Sequence, residues 1–305
     1  MKILIVCSAT SRNFNLQIHQ AFIYEQVESI KVIDKSIQFD YFFIKQKGLS
    51  GYLKALLELR NSKKYDLIHA HGGLPAFLSV LLFREPVIST FHGSDINSRK
   101  TKLISAFASL LSRKSIYVSQ QLKEKALYKR NSVVIPCGVN LELFQPLKME
   151  ACRRTLNLDE KKKYILFSSS FSNPVKNFPL LEAALKLWVG APPEVIELKG
   201  IGRELVPLYM NAVDVCVLTS FSEGSPQFIK EALACNRPVI ATPVGDIKEL
   251  IGNSHNCRIT NFTPDDLSNS IVQLINENIS NGRENMKSYE LGFIAAKVLK
   301  VYNRK

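Results

Sequence analysis

The sequence predicts an α/β fold of two doubly wound, Rossmann-like parallel-sheet domains. Three observations predict it. Short apolar runs alternate with helical patterns along nearly all of the 305 residues. The runs are rich in Val, Ile and Phe and apolar at successive positions, as in strands buried on both faces. The alternation is interrupted once, by a charged and turn-rich stretch at 136–163, and then starts again. A strand–helix–strand order of this kind builds a parallel sheet with helices on both faces.

In chain order, KILIVC (2–7) is a strand and 16–32 reads as a helix. QFDYFFI (38–44) is the second strand, followed by a helix over 50–62; YDLIHAH (65–71) and PVISTFHG (86–93) end the third and fourth. SIYVS (115–119) and SVVIP (132–136) complete the first series, each after a helical pattern. The stretch 136–163 holds two prolines and no clean period, and reads as a linker with one short helix. The second series has strands in YILFSSSF (164–171), EVIELKG (194–200), DVCVLTS (214–220), PVIATP (238–243) and CRIT (257–260), with a helix over 177–188 and a last one over 284–302. The expected division is therefore an N-terminal domain at 1–140, a linker at 141–160, a C-terminal domain at 161–283 and a terminal helix at 284–305, free to cross back to the first domain. Ligands of such sheets bind at the carboxyl ends of the strands, so the expected site is the cleft between the domains.

Composition narrows the class. With 46% hydrophobic and 22% charged residues the chain suits an ordinary globular protein. Forty Lys and Arg against 27 Asp and Glu give +13, which favours anionic partners: nucleic acid, an anionic membrane face or phosphorylated small molecules. No nucleic-acid motif accompanies the charge, so specific nucleic-acid binding is not expected. The six cysteines stand singly and read as reduced, small buried residues of a cytoplasmic protein. The apolar run in MKILIVCSATS is too short for a signal-peptide core, and LPAFLSVLLF (74–83) is about half a membrane span.

The most informative stretch is TSFSEGSPQFIKEALACNRPVIATPVGDIKELI (219–251). It follows a buried strand and opens a helix. Pro226 suits the first helical turn and Ser225 can cap it. Gly224 lets a ligand approach the backbone, and the free N–H groups there can hold hydroxyl or phosphate oxygens. Glu223 sits in the loop and Glu231 on the same side of the helix, where two carboxylates can grip vicinal hydroxyls.

This stretch resembles the E-x7-E signature of retaining glycosyltransferases of family 4, which have the GT-B fold. The resemblance extends to STFHGSDIN (89–97), VIPCGVNLELFQP (134–146), SSSFSNPVKNFPLLEAAL (168–185) and the whole block 206–251. It implies an acceptor-side N-terminal domain and a C-terminal domain that binds a nucleotide sugar, a UDP-linked one by preference. It implies that Glu231 binds the donor ribose and that Glu223 lies beside the transferred sugar. The amides of Gly224, Ser225, Gln227 and Phe228 then face the sugar and diphosphate. Lys176 matches the lysine that neutralises the diphosphate, and His92 the histidine that contacts the sugar near the reacting carbon. Gly200, in the turn after strand 194–198, flanks the nucleobase. The resemblance makes a glycan or lipid-linked sugar of surface polysaccharide synthesis the expected acceptor, which with the basic charge suggests a peripheral protein at the inner membrane face. A lysine and helix N–H groups stabilise a leaving phosphate without metal, and no metal-ligand cluster or D-x-D tract is present, so neither metal nor cofactor is expected.

Other residues keep two readings. Arg203 is either plain surface or a neighbour of the base or diphosphate. Asp95 is a helix cap first and an acceptor contact second. His71, with His69 on the same strand face, serves packing or acceptor contact. The sequence also departs from the family pattern. CSATSRNFN lacks the glycine-rich turn, leaving Ser8, Ser11 and Asn13 to hydrogen-bond in its place, and Ser170 stands where an arginine is usual. These departures keep three alternatives open: an epimerase or hydrolase on the same scaffold, a non-catalytic nucleotide-sugar-binding partner, and a nucleic-acid binder.

Overall fold

A computed structural model describes residues 1–303 apart from Arg12, Lys47, Phe83 and Asn278; of Leu49 only the backbone is described. The last two residues of the expected terminal helix, 304 and 305, lie outside the described residues. The chain forms two compact units, Met1–Gly138 with Leu291–Lys305, and Val139–Glu290.

The first unit is built on six parallel strands: β1 (Lys2–Ser8), β2 (Gln38–Ile44), β3 (Leu67–His71), β4 (Val87–Phe91), β5 (Lys114–Tyr117) and β6 (Ser132–Val134), in the order β2-β1-β3-β4-β5-β6. Side chains alternate across the sheet as strand geometry requires. Leu4, Val6, Ile68 and Ala70 enter one core, while Ile3, Ile5, Cys7 and Leu67 enter the other. The second core is closed by the helices Ala21–Ile33 and Leu291–Asn303, which contribute Ile23, Val27 and Ile30, and Ile294, Val298 and Tyr302.

The helix read over 16–32 is interrupted. Asn15 caps Leu16–His19, and Gln20 then leaves helical geometry (φ −140°, ψ 47°) before Ala21–Ile33 begins. The break turns the Gln20 amide toward β1, where its Nε2 donates to the Ser8 carbonyl at 2.9 Å. The terminal helix is also shorter than 284–302. Arg283–Met286 and a 3₁₀ turn at Lys287–Tyr289 precede it, and Glu290 is extended. The Tyr289 carbonyl accepts the Val139 N–H at 2.8 Å, which ends that segment inside the second unit.

The second unit holds five parallel strands, β7 (Tyr164–Phe167), β8 (Glu194–Glu197), β9 (Val215–Leu218), β10 (Val239–Ala241) and β11 (Cys257–Ile259), in the order β11-β10-β9-β7-β8. Tyr164 and Leu166 face one core, Ile165 and Phe167 the other. Residues 141–160, read as a linker, are packed into this unit. Their helix Met149–Thr155 buries Arg153, which bonds Asp214 at 2.8 Å and the carbonyls of Ala212, Glu160 and Lys162.

Both sheets reverse direction beside their first strand. The chain moves from β1 outward to β2 and then returns to β3; in the second unit it moves from β7 to β8 and returns to β9. At such a reversal the loops at the strands' carboxyl ends diverge and leave a crevice for ligands. Each unit thus has one topologically favoured site.

Candidate functional site

In the second unit the favoured crevice lies beyond β7 and β9. After β7 the chain makes a 3₁₀ turn, Pro174–Lys176, started by Asn173, whose side chain accepts the Val175 N–H. Asn177 follows in the left-handed region (φ 53°), which a short amide side chain tolerates, and Phe178–Leu185 forms the helix. Thr219, just past β9, donates its hydroxyl to the carbonyls of Lys176 and Asn177 at 2.8 and 2.9 Å. Phe221 N–H bonds the Val175 carbonyl at 2.9 Å. The two loops are therefore stitched together, and Lys176 and Glu223 meet across them at 2.6 Å. The Ser220 hydroxyl bonds the same Glu223 oxygen at 2.7 Å.

Glu231 lies on the helix Gln227–Ala234 and is buried. Arg203, from the loop after β8, bonds Glu231 Oε1 at 2.5 Å while its guanidinium lies 4.6 Å from the centre of the Phe144 ring. Of the two sequence readings of Arg203, plain surface is thereby removed. The unit presents two cation–carboxylate pairs, Lys176–Glu223 and Arg203–Glu231, at the carboxyl ends of three strands.

Two local expectations are corrected. Pro226 occupies the N-cap rather than the first turn, and Ser225 does not cap the helix. Its hydroxyl is drawn instead to Asp246, donating to Oδ2 at 2.6 Å. Asp246 is buried, and burial raises its carboxyl above the usual range. Gly245 beside it has φ +61°, and a Cβ there would come within 2.8 Å of the Gly224 carbonyl. The loop after β10 thus supports the Glu223–Ser225 loop from below through a glycine and a carboxylate.

Sequence reasoning does not reach Asp246, Gly245 or the wholly buried Lys230. The Gly-Asp pair after an apolar strand is a readable turn signal. Lys230 gives none, since a lysine in a helix is usually solvated; here it bonds Gln227 Oε1 at 2.9 Å and lies 5.8 Å from the Tyr289 ring centre. Phe228 is buried in the core, while Gly200 (φ +68°) and Ser170 lie in the loops past β8 and β7. Ser170 Oγ pairs with Ser172 Oγ at 2.8 Å.

In the first unit, the ends of β1, β3 and β4 enclose a cavity of about 300 Å³ lined by Ser8, Gln20, His71, His92 and Asp95, among others. His71 Nδ1 and His92 Nε2 are 3.0 Å apart, and His92 Nδ1 is 3.7 Å from Cys137 Sγ. Asp95 does not cap its own helix, Ser94–Asn97, whose N-cap is Gly93. Its two oxygens accept the backbone N–H groups of His92 and Gly73, at 2.9 and 2.8 Å, and so tie together the loops after β3 and β4. Ser11 and Asn13 are exposed and do not line this cavity. No cluster of three or more metal-ligating side chains occurs among the described residues.

His69 lies behind His71, bonded to Tyr302 Oη and Thr90 Oγ1, each at 2.7 Å. Burial, with the nearby His92, lowers its pKa to about 3, and burial, with His69 and His92, puts His71 well below the usual range. Both are neutral in the folded protein at neutral pH. Unfolding lets them protonate, so the unfolded state binds more protons between the ordinary value near 6.5 and the lowered folded one. Stability is expected to be full above about pH 6.5 and to fall as pH drops below it, by up to about 1.4 kcal/mol per pH unit for each histidine. Denaturant midpoints between pH 7 and 5 check this: His69→Gln should flatten the slope, and an unchanged slope would refute the assignment.

Comparison with known proteins agrees with this architecture. The family model described as "Glycosyltransferase Family 4" matches residues 6–143, and "Glycosyl transferases group 1" matches 177–277. The chain is 30% identical over 242 residues to the Bacillus subtilis (strain 168) protein named "Putative teichuronic acid biosynthesis glycosyltransferase TuaC", covering 70% of this chain and 62% of that protein. It is 26% identical over 255 residues to the Escherichia coli "UDP-Gal:alpha-D-GlcNAc-diphosphoundecaprenol alpha-1,3-galactosyltransferase", covering 68% and 64%. Each match spans less than two thirds of the relative's length. Among solved structures, sucrose-phosphate synthase of Thermosynechococcus elongatus aligns with TM-score 0.81 at 18% identity over 99% of this chain and 98% of that one. Anabaena HepE, in complex with UDP and glucose, aligns with TM-score 0.75 at 17% identity over 99% of both. Two parallel-sheet units, each matched by its own family model and together aligned end to end with GT-B structures, place this chain among the family 4 (group 1) glycosyltransferases.

Proposed function

We propose that the protein is a retaining, metal-independent glycosyltransferase that moves a hexose from a UDP-linked donor to a glycan or lipid-linked acceptor in surface polysaccharide biosynthesis. The observation that carries this reading is the pair of cation–carboxylate contacts, Lys176–Glu223 and Arg203–Glu231, at the carboxyl ends of β7, β8 and β9. A nucleoside diphosphate sugar presents complementary groups: vicinal ribose hydroxyls for Glu231, a diphosphate for Lys176, and sugar hydroxyls for Glu223 and the amides from Gly224 to Phe228. As the bond from sugar carbon to phosphate oxygen breaks, negative charge grows on the diphosphate. The Lys176 ammonium stabilises it where a divalent ion would otherwise serve. The departing phosphate oxygen takes the acceptor's hydroxyl proton on the same face of the sugar, which gives retention without a protein nucleophile. His71, whose buried Nε2 has no partner among the described residues, can bond a hydroxyl or a water in the cavity of the first unit. The names of relatives point the same way, with a UDP-galactose donor and a diphosphoundecaprenol acceptor in one of them. The basic charge and such an acceptor suggest the inner face of the membrane.

The test is thermal unfolding with a panel of nucleotide sugars, in chelator and with added magnesium. One UDP-sugar should stabilise the protein in both, by about 2.7 kcal/mol at a hundredfold excess over its dissociation constant. Glu231→Ala should lose the effect. Absence of any stabilising nucleotide sugar sinks the reading, and turnover of donor alone would favour an epimerase or hydrolase.

A further inference from the structure

The helix Arg99–Leu111 of the first unit is turned inside out. Its buried face is small and polar: Ser105, Ala108 and Ser109, followed by Ser112 at the C-cap. These hydroxyls are satisfied internally. Ser105 donates to the Asp95 carbonyl at 2.9 Å, Ser109 meets Ser115 at 2.8 Å, and Ser112 meets Ser89 at 2.6 Å. Close packing explains the small residues, since a Cβ on Gly73 would collide with the Ser105 hydroxyl. It explains nothing about the opposite face. There Leu103, Phe107, Leu110 and Leu111, at helical spacings of 4, 3 and 1, are 66%, 60%, 51% and 43% exposed. A surface helix ordinarily turns such a stripe inward.

Charge indicates what covers it. Arg99 and Lys100 begin the same helical face, one turn before Leu103. Between Asp95 and Glu124 there are six cations, at positions 99, 100, 102, 113, 114 and 123, and no acidic residue. No ion pair to Arg99, Lys100 or Lys102 occurs among the described residues. Cations at a helix N-terminus oppose the helix dipole, and this helix has no acid in its first turn to offset them. Two copies of a chain of charge +13 repel, which disfavours self-association through this face.

We infer that the helix Arg99–Leu111 docks on an anionic lipid bilayer, lying in the interface with Leu103, Phe107, Leu110 and Leu111 among the acyl chains and Arg99, Lys100 and Lys102 at the headgroups. This deepens the membrane placement proposed above. It is tested without nucleotide or acceptor, so its failure leaves the transferase reading standing.

The experiment is co-sedimentation with vesicles of phosphatidylcholine alone and of phosphatidylcholine mixed with phosphatidylglycerol. The wild type should bind the mixed vesicles and be released by salt. Phe107→Ser with Leu110→Ser should lower binding at least about tenfold, as loss of buried apolar area requires. Lys100→Glu with Lys102→Glu should weaken it by at least about fivefold per cation. All four side chains are exposed or half-buried, so both variants should fold, and circular dichroism is the check. Wild type that ignores anionic vesicles overturns the proposal. So does binding unchanged in the Phe107/Leu110 variant, or a wild-type dimer that this variant converts to monomer.

Discussion

Replacing Lys176 by alanine is expected to lower turnover with a UDP-linked sugar by two to three orders of magnitude, about the cost of removing one fixed donor from a developing negative charge. The expectation rests on how firmly the loop holds that ammonium. Asn173 starts the turn, the Thr219 hydroxyl fastens the carbonyls of Lys176 and Asn177, and Phe221 N–H bonds Val175. Lys176 is mostly buried against Glu223 at 2.6 Å, so its position costs little further ordering when a diphosphate arrives. Loss of the lysine leaves Glu223 with the Ser220 hydroxyl, a local cost of about 1 kcal/mol that a thermal midpoint resolves from the kinetic effect. A contact made in the transition state lowers kcat and kcat/KM together. Lys176→Arg keeps the charge and loses the geometry, and should recover part of the activity. Near-normal kcat in Lys176→Ala would move the charge-stabilising role elsewhere, to Arg203 first.

That Lys176 stands out in the sequence alone shows what kind of feature a sequence carries. Strands buried on both faces announce themselves through apolar runs, and each of the eleven strands among the described residues overlaps a run picked out in the sequence, β1 and β5 extending one residue beyond theirs. Loops at their carboxyl ends then inherit meaning from topology, which is why Glu223, Glu231 and Lys176 are legible. Pairings between distant loops are not. Nothing adjacent to Arg203 in sequence reveals that it reaches Glu231, 28 positions away, or that Asp246 takes the Ser225 hydroxyl suited to a helix cap. The inverted helix is hidden for a related reason. Its 3.6-residue period marks an apolar face correctly, but a period does not say which face turns inward, and the nearness of Gly73 to Ser105 decides it.

Arg153→Ala is expected to destabilise the second unit by about 3 kcal/mol, at the lower end of the cost of stripping one partner from a buried ion pair. The segment around Arg153 reads as a tether because it is charged and aperiodic. In the structure its guanidinium is one of the most fully bonded groups in the protein. It donates to Asp214 Oδ2 and the Ala212 carbonyl at 2.8 Å each and to the Glu160 and Lys162 carbonyls at 3.0 and 3.2 Å, and lies 5.2 Å from the Tyr164 ring centre. Asp214 is buried and also accepts the Tyr164 N–H at 2.7 Å, so it fixes the start of β7, the strand whose carboxyl end leads into the loop that carries Lys176. Without Arg153 that carboxylate keeps the Tyr164 N–H and Lys163 Nζ, the latter at 3.2 Å and partly solvated, which holds the loss below the full buried-charge penalty. For a unit of this size the midpoint should drop by about 6–12 °C. Arg154, one position on, makes an exposed pair with Glu160 at 3.1 Å, and Arg154→Ala should stay within about 0.5 kcal/mol of wild type. Equal effects at the two positions would mean that the buried bonds around Arg153 do not hold β7 in place.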